Sequence, residues 1–121
     1  RENIVLKLHP KLSPIKVDVF PLLKNKKSLV KKARDVYSLL KEDFVCIYDE
    51  VTSIGRRYAR QDESGTPFCI TIDFDSLEKK DVTIRSRDTT KQIRVKIKEL
   101  KNIVKELISG EKLSKFGKYI N

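Results

Sequence analysis

Ile15, Val17 and Val19 alternate with Lys16 and Asp18 in a short run between Pro14 and Pro21, the period-two pattern of a β-strand. Leu29, Ala33, Val36, Tyr37 and Leu40 then recur at helical spacing, with lysines on the other side and Ser28 as the expected N-cap. Phe44 to Tyr48 is strand-like again, so the first half predicts a βαβ unit with two parallel strands and a right-handed connection. A short helix is expected next, capped by Thr52 or Ser53 and running through about Glu63. Gly65 ends it, and Pro67 disfavours helical geometry at Thr66.

Phe68 to Phe74 is rich in strand formers, and Asp81 to Ser86 and Gln92 to Ile97 follow as further strands. The mixed charges of Glu78 to Asp81 predict an exposed loop, and Arg87-Asp88-Thr89-Thr90 predicts a hairpin turn. Leu100, Ile103, Val104, Leu107 and Ile108 form the apolar stripe of a last helix, with Gly110 placed as its C-terminal cap. Beyond it the periodicity fades, and Glu111 to Asn121 reads as a loosely held basic tail in which Leu113, Phe116, Tyr119 and Ile120 are the residues able to dock. Five strands and three helices sum to an α/β fold, a three-layer α/β/α arrangement around a five-stranded mixed sheet. The expected divisions are a lead-in over residues 1–14, a domain over 15–110 and the tail over 111–121.

Composition narrows what such a domain does. A chain of 121 residues, 39% hydrophobic, suffices for one modest core and not for a two-domain enzyme. It contains no Met, even at position 1, which suggests a piece of a longer protein. With 27 Lys+Arg against 17 Asp+Glu, the net charge of +10 favours a polyanionic partner. No apolar run approaches the roughly 20 residues of a membrane span, and Arg1 to Leu8 lacks a signal-peptide core, so no membrane partner and a cytoplasmic location are expected.

Cys46 and Cys69 lie far apart in apolar runs and read as buried free thiols. His9 is the only histidine, which leaves little material for a metal site or a His-based triad. With no phosphate-cradling Gly-rich loop or nucleophile elbow either, no catalytic residue, metal ligand or bound cofactor is assigned within the chain. A thiol enzyme is remote, because neither cysteine has a basic helper in an obvious motif.

The densest chemistry is Gly55-Arg-Arg-Tyr-Ala-Arg-Gln-Asp-Glu-Ser-Gly-Thr-Pro-Phe-Cys69. On a helix, Arg56 and Arg60 share one face and Arg57 and Gln61 the neighbouring one, beside the acidic pair Asp62 and Glu63. Arg85 and Arg87, two apart, project from the same face of a strand that leads into Asp88 and Thr89. Such groups could simply form solvated ion pairs, with Tyr58 and Phe68 in the core. They also match an unstacked base, with carboxylates as acceptors, Arg and amide donors, and Tyr58 as a stacking platform. Arg85 and Arg87 would then grip phosphate or a base edge, and Lys24 to Lys32 would add nonspecific attraction to an RNA backbone.

The same segment, continued by Ile70 to Leu77 and by Arg85-Ser86-Arg87-Asp88-Thr89, resembles the C-terminal anticodon-binding domain of glycyl-tRNA synthetase of the eukaryotic or archaeal type. The likeness runs from about Leu6 to Leu107 and leaves the tail outside. It implies a five-stranded sheet with one antiparallel strand, and recognition of the tRNA(Gly) anticodon loop by Arg56, Arg57, Tyr58, Arg60, Gln61, Asp62, Glu63, Arg85, Arg87 and Asp88. It further implies a homodimeric parent enzyme that uses ATP and Mg²⁺ in a separate catalytic domain, while the fragment itself could be a monomer. Two alternatives share the fold: a protein-interaction module like that of the mitochondrial DNA polymerase accessory subunit, and the equivalent domain of a threonine, proline or histidine synthetase.

Overall fold

Strand β1 (Val17–Pro21) is buried along its whole length because it runs through the middle of the sheet. The computed structural model describes residues 11–50 and 54–120. In it, β1 is flanked in parallel by β2 (Cys46–Tyr48) and β3 (Phe68–Ile72). β4 (Asp81–Ser86) runs antiparallel to β3 and to the edge strand β5 (Gln92–Lys96), giving the order β2-β1-β3-β4-β5. The sheet is therefore five-stranded and mixed, with β4 alone reversed, as the resemblance implies.

Residues paired across strands share a face of the sheet. Val19, Ile70, Ile84 and Ile93 are in register on one face, and Val17 and Phe68 lie beside them. Against this face pack Leu29, Ala33, Val36 and Leu40 of α1 (Lys27–Lys41) and Leu100, Ile103, Val104 and Leu107 of α4 (Leu100–Ile108). Each Val, Leu or Ile among them gains about 1.5–3 kcal/mol by leaving water, so the stripes hold both helices in place more than helix propensity does. The opposite face carries the register Asp18, Cys69, Arg85, Gln92. Helix α2 (Ile54–Ser64) lies on that side, where Arg85 Nη1 donates to Gln61 Oε1 at 2.8 Å, and it forms the third layer.

Several local expectations are corrected. Helix α1 begins at Lys27 with Lys26 at the N-cap, so Ser28 lies inside it and caps nothing. Burial of Leu29 and the bond from Val30 N to Lys26 O (3.0 Å) set its start. The Thr52 and Ser53 caps lie outside the described residues. Strand β3 stops at Ile72, and the expected Glu78–Asp81 loop is instead the end of a helix, α3 (Phe74–Lys79), its cap and the first residue of β4, which brings the α-helices to four among the described residues. Asp73 and Ser76 form a reciprocal capping box at its start, and Lys80 ends it with φ 55°, next to the first residue of β4. Gly110 does end α4 as expected: one residue past the C-cap Ser109 it takes φ 112°, and Gly110 N and Glu111 N donate to Leu107 O and Glu106 O, each at 3.1 Å.

The tail is not loose. A 3₁₀ turn over Leu113–Lys115 buries Leu113, and Ile120 N donates to Gln92 O at 2.8 Å. That bond closes part of the outer edge of β5, whose backbone groups would otherwise await a partner. No helix among the described residues is long and apolar enough to cross a membrane, and Cys46 and Cys69 are buried and unpaired with each other.

Candidate nucleic-acid interface

Helix α2 ends where Gly65 takes φ 70°, a left-handed conformation that costs a glycine little. The Gly65 carbonyl then receives two donors from distant parts of the chain, Ser13 Oγ at 3.1 Å and Arg87 Nη1 at 2.5 Å. The Arg87 backbone N–H also reaches Pro67 O at 2.9 Å. Its guanidinium is fully covered, and Nε and Nη2 both donate to Asp88 Oδ1, at 3.2 and 3.1 Å. The end of α2 is thereby clamped to the β4–β5 turn, and one oxygen of Asp88 is fixed.

Arg85 and Arg87 do share a face, and it is the face turned towards α2. Arg85, half-buried, bonds Gln61, which is itself buried. Of the residues expected to meet RNA, Gln61 and Arg87 therefore hold the scaffold together, and Arg85 bridges scaffold and surface. The exposed side of α2 presents Arg56, Arg60 and Glu63, while Asp88 is exposed at the turn. The side chains of Arg57, Tyr58 and Asp62 lie outside the described set.

Arg60 reaches across to Asp49, just past β2, with Nη1 to Oδ2 at 2.7 Å. Lys24, Asp49, Glu50, Arg56, Ala59, Arg60 and Glu63 line an open cleft of about 540 Å³. It lies where the chain leaves β1 and β2, at the carboxyl ends of parallel strands, a common place for ligands in α/β sheets. Asp49 and Glu50 enter the site through this topology, and their sequence signal is only their position just after a predicted parallel strand, whereas Lys24 belongs to the lysine-rich run expected to attract an RNA backbone.

Beneath the cleft lies Asp18, fully buried, with neither carboxylate oxygen hydrogen-bonded within the described residues. Burial and then the neighbouring Asp49 raise its pKa to about 7, against the opposing pull of Arg60. The exposed surface thus joins guanidinium donors to carboxylate acceptors on a single helix face. That combination suits the edge of a base, which offers both acceptors and donors. No group of three or more His, Cys, Asp or Glu gathers in metal-binding geometry among the described residues.

Residues 16–107 match the family described as the anticodon binding domain. The chain belongs to that family. Among its relatives are the glycine–tRNA ligase of Clostridium kluyveri, 55% identical over 104 residues, which is 86% of this chain and 22% of the relative. That of Clostridium acetobutylicum is 54% identical over 107 residues, 88% of this chain and 22% of the relative. That of Borrelia hermsii is 48% identical over 111 residues, 92% of this chain and 25% of the relative. This anticodon-binding domain therefore spans about a quarter or less of the ligases it resembles. All three named relatives are bacterial, so they extend the likeness beyond the eukaryotic and archaeal type suggested by Gly55 to Cys69.

Proposed function

We propose that this domain reads the anticodon of tRNA(Gly) on behalf of a glycine–tRNA ligase. Glycine codons begin with two guanines, so every glycine anticodon ends in two cytosines. An unstacked cytosine offers an amino donor and two acceptors on its pairing edge, which calls for a carboxylate beside a guanidinium or amide. The observation that carries the proposal is the exposed row Arg56, Arg60 and Glu63 facing Asp49 across the cleft, with both signs of charge in reach of one base. Similarity to named glycine–tRNA ligases supports glycine over the sister synthetases.

In this mechanism Arg56 and Arg60 donate to the cytosine acceptors or the adjoining phosphates, and Glu63 accepts from an amino group. Arg57, Tyr58 and Asp62 belong to the same reading helix by sequence. Gln61, Arg85 and Arg87 contribute by holding α2 against the turn, so that the exposed groups wait in one geometry. The ligation reaction uses ATP and Mg²⁺, and no residue described in this chain is assigned to hold either. A homodimeric parent enzyme would carry one such surface per subunit, in the cytoplasm.

The test is a titration of the chain with glycine anticodon stem-loops in which each of the two cytosines is replaced by uracil in turn. Each replacement is expected to weaken binding about tenfold to hundredfold, the worth of a hydrogen bond to a charged group. Equal affinity for all three RNAs would overturn the reading.

A further inference from the structure

A second cavity, about 460 Å³, opens between the β4–β5 turn and the C-terminal segment, and its lining includes Phe68, Asp88, Leu107, Lys112, Leu113 and Tyr119. We propose that it takes one of the two anticodon cytosines, flipped out of the loop, with Asp88 Oδ2 accepting from the amino group and the Tyr119 ring stacking on the base. The inference rests on the anticodon-reading function and adds to it a site built partly by residues 111–120, outside the 16–107 matched to the family.

The chemistry of the walls supports this occupant. Asp88 Oδ1 is occupied by Arg87 Nε and Nη2, so the carboxylate cannot rotate freely, while Oδ2 has no partner among the described residues. A buried guanidinium thus orients an exposed acceptor. Phe68, Leu107 and Leu113 give the cavity an apolar floor for the face or edge of a ring. Lys112 makes no ion pair among the described residues and supplies a donor for the base carbonyl or the next phosphate. The volume lies within the roughly 300–1,000 Å³ of sites that enclose small organic ligands.

Tyr119 is also held in place. Leu113 is buried, Lys115 Nζ bonds Glu106 Oε1 at 2.9 Å and lies 3.4 Å from Glu111 Oε2, and Ile120 is bonded to the edge of β5. Between these anchors the Tyr119 side chain remains about half exposed, at 47%. With the chain anchored on both sides of it, little backbone entropy remains to be lost when a base stacks on the exposed ring.

The experiment compares the unaltered chain with Tyr119→Ala, Tyr119→Phe and Asp88→Asn, against the stem-loop with both cytosines and the two single uracil replacements. Tyr119→Ala is expected to weaken binding of the cytosine RNA about 5- to 100-fold, the worth of one stacked base, and Tyr119→Phe to restore it. Asp88→Asn is expected to bring cytosine and uracil to within about twofold at one of the two positions, since an amide donates to the uracil oxygen as readily as it accepts. If the unaltered chain discriminates at both positions and all three variants behave like it, the cavity holds no base, and recognition by α2 stands without it. If the unaltered chain does not discriminate at all, anticodon reading fails and this site with it.

Discussion

Asp18 stands where a strand buried on both faces ordinarily carries Val, Ile or Leu, and its carboxylate is both covered and without hydrogen bonds among the described residues. The unfolded chain ionises such a group near pH 4, whereas burial and Asp49 hold it to about 7 in the fold, Arg60 opposing. Between those values the folded state binds more protons than the unfolded state. The contribution of Asp18 to stability is therefore most favourable below about pH 4, falls as pH rises to about 7 and is level above. Asp18→Ala is expected to stabilise the chain by about 1–3 kcal/mol at pH 8 and by much less at pH 4.5. Urea unfolding at the two pH values checks this, and a gain independent of pH would show that ionisation of Asp18 is not the cause. Asp18 is legible in the sequence as a polar residue inside a hydrophobic alternation. That both faces of its strand are covered follows only from the central position of β1 in the sheet.

At the scale of elements, α3 shows how a short helix depends on distant groups. Asp73 caps it, accepting from Ser76 N at 3.1 Å, and also pairs with Arg94 of β5 through both oxygens. Arg94 in turn donates to Asp81 at 2.8 Å. Burial disfavours the Asp73 anion, but the bonds from Arg94 and Ser76 outweigh it and hold its pKa below the usual carboxylate value. A depressed pKa adds stability that is present above the unfolded value, near 4, and is lost as pH falls through the folded one. Asp73→Ala should cost about 2–3 kcal/mol at pH 7, combining a lost cap with lost charged hydrogen bonds, and Asp73→Asn should recover part of it by keeping the cap. Thermal denaturation of the two variants separates these contributions, and equal losses would assign the whole effect to Arg94. In the sequence, Asp73-Phe74-Asp75-Ser76 continues a run of strand formers, so the strand period hides the capping pair. Arg94 and Asp73 meet only through the pairing of β3, β4 and β5.

For the molecule as a whole, 27 basic against 17 acidic side chains favour a polyanion, so the proposed RNA binding should weaken with salt. The logarithm of affinity for the anticodon stem-loop should fall linearly with the logarithm of salt concentration, each phosphate contact adding about 0.7–0.9 to the slope. Removing Arg56 by Arg56→Ala should lower the slope by roughly that amount if it meets phosphate, and leave it unchanged with weaker cytosine preference if it meets a base. Binding isotherms at several salt concentrations decide between these outcomes, and a flat salt response would remove the phosphate contacts altogether.

Local patterns alone were enough for the order of the five strands and of every α-helix but α3, the apolar stripes of α1 and α4, the buried cysteines and the row Arg56 and Arg60. Periodicity and spacing are properties of neighbouring residues, and they survive into the fold. What covers each face is a property of residues far apart. Strand spacing puts Arg85 and Arg87 on the same side, yet only the packing of α2 against the sheet turns Gln61 and Arg87 into scaffold. The same holds for Tyr119, which belongs to a fading tail in sequence and to the wall of a cavity once Ile120 has closed on the edge of β5.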